Sequence, residues 1–342
     1  MEPIVLWQTK WSHDVLVPMY LFWGGLCAGI FLVAVLADLV SAKYRPFATL
    51  SRIAAYAAVP SYVLAGIFIT IHLGKPERGL AFPIFFTNYN SWMVLGGWAM
   101  GFGGPFAVTY AALHYFGVRA WIRRVVGVVG IPFLIWLAVN TGLLLSGAGF
   151  VPIWSRRYIP VIFVNSGILN GLAGAGLLFL LTRPLIAAYK KEGSYQVVLH
   201  SVSLATFIFE VIEAVLLYQF LTFLASAATQ PAPTGQFIMV KGGELAYEYI
   251  TRFDFCTRFP CTRGPLAPWF WGGVIAVGLV IPFILAVGNF IIRRWESIIA
   301  AVEFALILTG GAILRFVIVW GGDLKAPLAF PPSKWPIPPI GG

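Results

Sequence analysis

Long apolar runs recur along this chain of 342 residues and restrict the folds that it can adopt. About 20 consecutive apolar residues span a bilayer as a helix, and on this criterion we predict eight spans. Only 11% of the residues are charged, whereas soluble domains carry roughly 25%. The sequence therefore predicts an all-α integral membrane protein. The approximate bounds of the spans are 14–38, 50–72, 91–116, 123–146, 158–182, 196–226, 266–290 and 297–320.

Lysine and arginine at the ends of these spans predict their orientation. Eleven basic residues lie in the four short loops that follow the first, third, fifth and seventh spans or at their edges, whereas seven are spread over longer segments on the opposite side. Because basic residues concentrate on the cytoplasmic side, we predict that both chain termini are extracytoplasmic. These loops account for the net charge of +10, so we expect no nucleic acid as a partner.

We predict one transmembrane domain, 1–342, with two helical halves of about 1–157 and 158–342. One stretch of the first span (22–36) and one of the fifth (163–177) both carry closely spaced small residues, which let helices approach each other in lipid. This similarity indicates either two four-helix bundles or independent glycine-rich packing. A long extracytoplasmic loop, 227–265, belongs to the second half. Its Cys256 and Cys261 form a disulfide or remain two thiols, and we expect no metal site in the chain.

Polar residues gather at the predicted outer ends of the first four spans. An apolar slot with hydrogen-bond donors near the headgroups suits a quinone ring. A histidine with a pKa near 6.5 suits proton exchange with a quinol. Taken singly, the same side chains are interfacial groups that face water or lipid headgroups. The candidate quinone-binding residues are His13, His72, Lys75, Glu77, Arg78 and Asn140.

Ionisable residues are also predicted inside the sixth and eighth spans. Glu210 and Glu213 share one helix face, whereas Glu303 and Arg315 lie about 18 Å apart along one helix. Because charged groups are unfavourable in lipid, two hypotheses remain open. Arg315 forms a buried ion pair with one of the first two glutamates, or the three glutamates form a proton relay. Asp38, at the cytoplasmic end of the first span, is a further proton-transfer candidate, with an interfacial position as the alternative.

Several short stretches carry a resemblance to a known family. They are LFWGGLCAG (21–29), HLGKPER (72–78), SWMVLGGW (91–98), NTGLLLS (140–146), VPIW (151–154) and NSG (165–167). In order and spacing they resemble the NrfD/PsrC family of membrane anchor subunits over about the first half of the chain, and the second half matches mainly by helix count. The sequence departs from the family pattern at His72, where the family has aspartate, and at Asn140, where it has tyrosine.

This resemblance implies a quinone-reactive subunit with eight helices and no haem or iron–sulfur cluster of its own. The implied cofactor is menaquinone or another membrane quinone, with His13 as the matching quinone-site histidine. The implied partners are a four-cluster iron–sulfur subunit and a molybdopterin catalytic subunit, in addition to membrane lipid. The implied location is the cell membrane, with the active face extracytoplasmic.

The leading hypothesis is a respiratory oxidoreductase subunit, of a polysulfide or sulfur reductase type, that exchanges electrons and protons between quinol and an extracytoplasmic iron–sulfur protein. Proton translocation through Glu210, Glu213 and Glu303 is an extension of it. One alternative is a secondary transporter or ion channel that uses Glu210, Glu213 and Arg315. Another alternative is a structural anchor that does not contact quinone.

Overall fold

The computed structural model describes residues 14–73, 88–148, 151, 153–183, 192–226, 246–253, 266–291 and 296–322, and these contain helices and no strand. A short helix covers 246–251. The other helices are α1 (Leu16–Ser41), α2 (Phe47–His72), α3 (Trp92–Tyr115), α4 (Ala120–Ser146), α5 (Ile159–Thr182), α6 (Glu192–Ser226), a π-helical segment (Pro268–Val280) that continues into α7 (Ile281–Ile291), and α8 (Glu296–Gly321).

Within this described part, seven helical stretches are long and apolar enough to cross a membrane. They are α1, α2, α4, α5, α6, the π-helical segment with α7, and α8. The predicted third span is α3, a helix of 24 residues whose five glycines lower its mean hydropathy. The prediction of an all-α membrane protein is therefore confirmed. The count of eight spans stays a prediction, and so does the position of the termini, which lie outside the described residues.

Helices α1 and α5 form the centre of the molecule and pack closely through glycines. A Cβ atom added to Gly29 would meet the backbone of Gly167 and Gly171, and one added to Gly171 would meet the backbone of Gly29. Small residues allow this approach in lipid, where packing and not the hydrophobic effect drives helix association. The small residues noted in the first and fifth spans therefore serve a direct contact between these two helices.

The contacts of the first four helices recur in the second four. Helix α1 packs against α2 and α4, and α3 packs against the same two helices. In the second half, α5 packs against α6 and α8, and α7 contacts those same two helices. Contacts of α5 with α1 and α4, and of α8 with α1, join the halves. This pattern is what two four-helix bundles would give, although the division itself stays a prediction.

Candidate functional site

Three helix ends meet at Asp14, at the predicted outer face. The Asp14 carboxylate accepts a hydrogen bond from the backbone N–H of Leu16 (2.8 Å), which satisfies one free donor at the start of α1. Its other oxygen lies 2.5 Å from Nδ1 of His72, at the end of α2, and both side chains are largely buried. Trp320 of α8 donates through Nε1 to the backbone carbonyl of Asp14 (3.4 Å). Asp14 therefore fixes His72 in position beside the start of α1.

Asn140 is the most unusual residue near this end of the first half. Its side chain is 0% exposed, and neither its amide nitrogen nor its amide oxygen has a hydrogen-bond partner among the described residues. Gly96 of α3 lies against this amide, with no room for a Cβ atom between them. Leaving a buried polar group unpaired costs about 1–3 kcal/mol, so this amide is a candidate hydrogen-bond partner for a ligand or a water.

Two tryptophans at a similar depth also carry unpaired donors. The indole Nε1 atoms of Trp23 (α1) and Trp98 (α3) are buried and have no partner in the described ranges. At a rise of 1.5 Å per residue, Trp23, Trp98 and Asn140 each lie about 9–11 Å inside the outer end of their own helix. Sequence reasoning missed both tryptophans because in composition they are ordinary apolar residues of a membrane helix.

These unpaired hydrogen-bond donors suit the carbonyl oxygens of a quinone. A quinone ring presents two carbonyl oxygens, which accept hydrogen bonds, on an apolar body. The Asn140 amide nitrogen and the indole N–H groups of Trp23 and Trp98 are donors that lack an acceptor. The residues present at this depth therefore fit such a ligand in the class of group they offer.

The other predicted members of this site lie outside the described residues. They are His13, Lys75, Glu77 and Arg78. Cys256 and Cys261, predicted as a possible disulfide, also lie outside them. Of the six quinone-site candidates, the structure therefore places His72 and Asn140, and their roles stay predictions. Asp14 is an addition to the predicted set, found through its contact with His72.

A second polar group lies between α5, α6 and α8. Asn165 donates through Nδ2 to the Glu213 carboxylate (2.6 Å). Arg315 donates through Nη2 to the Phe163 carbonyl (3.1 Å), and its guanidinium lies 3.8 Å from the centre of the Phe163 ring. Arg315 interacts electrostatically with Glu213, but the salt bridges of the described chain do not include this pair. The direct ion pair considered from the sequence is therefore not formed.

The remaining two glutamates are buried without hydrogen bonds. Both carboxylate oxygens of Glu210 and of Glu303 lack a partner among the residues described, and the two side chains act on each other electrostatically. A small cavity lies beside Glu213 and is lined in part by Ser166 and Asn170, with about 20 Å³ open to the centre of a water molecule. That is enough room for one water, and the unpaired Asn170 oxygen gives it an acceptor.

Asp38 lies at the opposite end of α1 and is fully buried, at 0% exposure. Arg123 of α4 binds both carboxylate oxygens, through Nε and Nη2 at 2.7 Å each. The Tyr110 hydroxyl of α3 donates to the same carboxylate (3.1 Å). Asp38 therefore joins α1, α3 and α4 near the predicted cytoplasmic end of α1, and its role as an interfacial or a proton-transfer residue stays a prediction.

The polar network around Asp38 extends to α2. The Ser51 hydroxyl lies 3.2 Å from Nε2 of His114 and 3.5 Å from the Tyr110 hydroxyl. The spacing of four between Tyr110 and His114 places both on one face of α3, and this signal was available in the sequence. Their partners on other helices were not, because such pairs are set by packing.

No metal centre is evident in the parts of the chain that the structure describes. These contain no group of three or more histidine, cysteine, aspartate or glutamate side chains close enough to hold a metal ion. Within these described parts, the candidate chemistry lies in hydrogen-bonding and ionisable side chains at three places. They are the outer ends of the first helices, the glutamates of the second half, and the network around Asp38.

The fold and the polar groups define this protein as a helical integral membrane protein with unpaired hydrogen-bonding groups buried inside its helices. The family model described as "Polysulphide reductase, NrfD" matches residues 7–326, and the chain belongs to this family. The match includes the second half of the chain, which shares few of the sequence motifs that resemble the family. The C subunit of polysulfide reductase from Wolinella succinogenes is 24% identical over 325 residues, which cover 90% of this chain and 93% of that relative.

Proposed function

We propose that this chain is the membrane anchor subunit of an oxidoreductase complex of the polysulfide reductase type, and that it reacts with a membrane quinol. Membership of the NrfD family and similarity to the C subunit of a polysulfide reductase support the anchor role. The observation that carries quinone binding is the fully buried Asn140, whose amide lacks a hydrogen-bond partner in the described part of the chain.

In this proposal, the chain's own residues bind and orient the ring and move protons. A quinol supplies two electrons and two protons as it is oxidised to the quinone. Asn140 and the indole N–H groups of Trp23 and Trp98 donate to its oxygens. His72, held by Asp14, and His13 exchange the protons with the outer face. Lys75, Glu77 and Arg78 line or brace the site.

The partners follow from the same proposal. The electrons pass to an extracytoplasmic iron–sulfur subunit with four clusters and then to a molybdopterin catalytic subunit, where the terminal substrate reacts. Menaquinone or another membrane quinone is the cofactor. The chain lies in the cell membrane with eight spans in two four-helix halves, 1–157 and 158–342, and its active face is extracytoplasmic.

The test starts with the complex purified gently from its native membrane. We expect iron, molybdenum and further subunits to co-purify, and a metal-free protein that runs alone after controls for dissociation would favour the transporter hypothesis. In the complex, Asn140→Leu removes both orphaned amide groups at a similar volume. We expect it to raise the KM for a menaquinol analogue, or to lower kcat, at least about tenfold.

The matched control is Ser61→Ala in α2, because the Ser61 hydroxyl donates a hydrogen bond to the backbone carbonyl of Ala57 in its own helix. This variant is expected to keep the kinetics of the unaltered complex. Unchanged quinol kinetics in Asn140→Leu, with iron and molybdenum still bound, would contradict quinone binding at Asn140 and favour the purely structural anchor.

A second function, proton translocation coupled to quinol oxidation, is favoured by the glutamates of the second half. Glu213, Glu210 and Glu303 are all buried, the last two have unpaired carboxylates, and a cavity with room for one water adjoins Glu213. In proteoliposomes, Glu210→Gln is expected to preserve quinol turnover and abolish proton movement. Proton movement at the unaltered ratio to turnover would exclude Glu210 from the relay.

A further inference from the structure

An apolar groove lies on the lipid-facing side of the first half, between α2 and α3. Its volume is about 420 Å³, which is within the range of ligand-binding pockets. The small side chains of α3 leave this space beside the proline of α2. The lining, which is almost entirely apolar, includes Tyr56, Val59, Pro60, Val108, Ala111 and Phe116.

Two exposed arginines lie close in sequence to residues that line the end of the groove that we predict to be cytoplasmic. Arg52 precedes Tyr56 by four residues on α2 and so lies one turn away on the same face. Arg119 follows Phe116 by three residues, after a turn at Gly117 with a φ of 63°. Tyr56 and Tyr115, which also lines the groove, are residues typical of the boundary between lipid and water.

The charge of these arginines is not neutralised within the described chain. The salt bridges found there do not include Arg52 or Arg119. Asp38, an acidic residue at the same predicted cytoplasmic end, is buried and forms salt bridges with Arg123 and Arg124. Two exposed cations are therefore expected near one end of the apolar groove, and neither has a salt-bridge partner among the described residues.

We propose that this α2–α3 groove binds an anionic glycerophospholipid, with an acyl chain along the groove and the phosphate at Arg52 and Arg119. Charge complementarity selects this occupant. A neutral quinone would leave both cations unpaired, and a zwitterionic lipid would bring a positive choline to them. Basic pockets between membrane helices are known to bind acidic headgroups. The site is separate from Asn140, because the groove is lined by α2 and α3, whereas Asn140 lies near the predicted outer end of α4.

Native mass spectrometry of the full complex tests this proposal. The complex is released from mixed micelles that contain phosphatidylglycerol and phosphatidylcholine with identical acyl chains. We expect a retained phosphatidylglycerol adduct in excess over phosphatidylcholine. Arg52→Gln is expected to lower its retention about fivefold. Val108→Trp, which fills the groove from an exposed position, is expected to do the same, whereas Arg52→Lys keeps the charge and most of the adduct.

Arg183→Gln is the matched control, because Arg183 is exposed at the same predicted face but lies over Tyr195 at the end of α5. Equal retention of the two lipids would overturn the proposal, as would a bound quinone in place of phospholipid. So would an adduct that Val108→Trp leaves unchanged, or one that Arg183→Gln weakens as much as Arg52→Gln does. Quinol turnover is measured alongside to show that each variant is folded.

Discussion

The ion pair between Asp38 and Arg123 gives the sharpest prediction of stability. Asp38 is 0% exposed and Arg123 is 15% exposed, and two hydrogen bonds of 2.7 Å join them. Asp38→Asn keeps the shape of the side chain but leaves Arg123 without a counter-charge. Breaking a buried pair in this way costs about 3–5 kcal/mol. Because Arg123 retains some access to water, we expect a loss in free energy of unfolding of about 3 kcal/mol, measured by denaturation in mixed micelles.

A double variant separates this loss from general damage. Asp38→Asn with Arg123→Met removes both charges, and replacing a whole buried pair is often nearly neutral. The double variant is therefore expected to be more stable than Asp38→Asn alone. Arg45→Gln, at an exposed position near the same face, serves as the control for loss of one surface charge. A loss below about 1 kcal/mol for Asp38→Asn, or a double variant less stable than the single one, would refute this reasoning.

Two further predictions concern the contacts of α5. Gly29→Leu is expected to prevent the close packing of α1 on α5 and to abolish recovery of folded protein, whereas Gly101→Leu is expected to be tolerated because no atom lies near its added Cβ. Size-exclusion chromatography in detergent compares the recovery of the two variants, and equal recovery would contradict the close contact between α1 and α5. Asn165→Leu removes the 2.6 Å hydrogen bond to Glu213 and is expected to lower the free energy of unfolding by about 1.5–3 kcal/mol, measured by denaturation. The control is Ser201→Ala, which removes an exposed hydroxyl that is hydrogen-bonded only within its own helix, and an equal loss in both variants would argue against the contact with Glu213.

The positions of the helices were largely predictable because an apolar run of this length has one stable form in lipid. The predicted span 91–116 and the observed Trp92–Tyr115 agree within a residue at each end. The predicted start at 196 was late, since the helix begins at Glu192 in a polar turn that hydropathy excludes. The π-helical segment, Pro268–Val280, could not be predicted, because a uniformly apolar run has no polar positions to mark its periodicity.

The pairing of polar residues between helices was not predictable from one sequence. Asp38 and Arg123 are 85 positions apart, and nothing local indicates that they meet. The same holds for Asn165 and Glu213, which share a hydrogen bond across 48 positions. Residue types inside apolar runs nevertheless directed attention to Asp38, Asn140 and Glu213, because a polar group in lipid needs a partner or a function. Sequence thus indicated which polar residues lie inside the helices, and packing determined what each one contacts.

The departure at position 72 illustrates this difference. The family has an aspartate before its LGRPER motif, whereas this chain has His72. From the sequence alone, no carboxylate is expected at the end of the second span. In the folded chain, His72 lies 2.5 Å from Asp14, so a carboxylate is still present at the end of α2 but comes from α1. Because Asp14 also accepts the N–H of Leu16, it holds the histidine at a fixed place beside the start of α1. His72 is therefore a departure in residue type that leaves a carboxylate beside the end of α2, and the part that this pair plays in proton exchange stays a proposal.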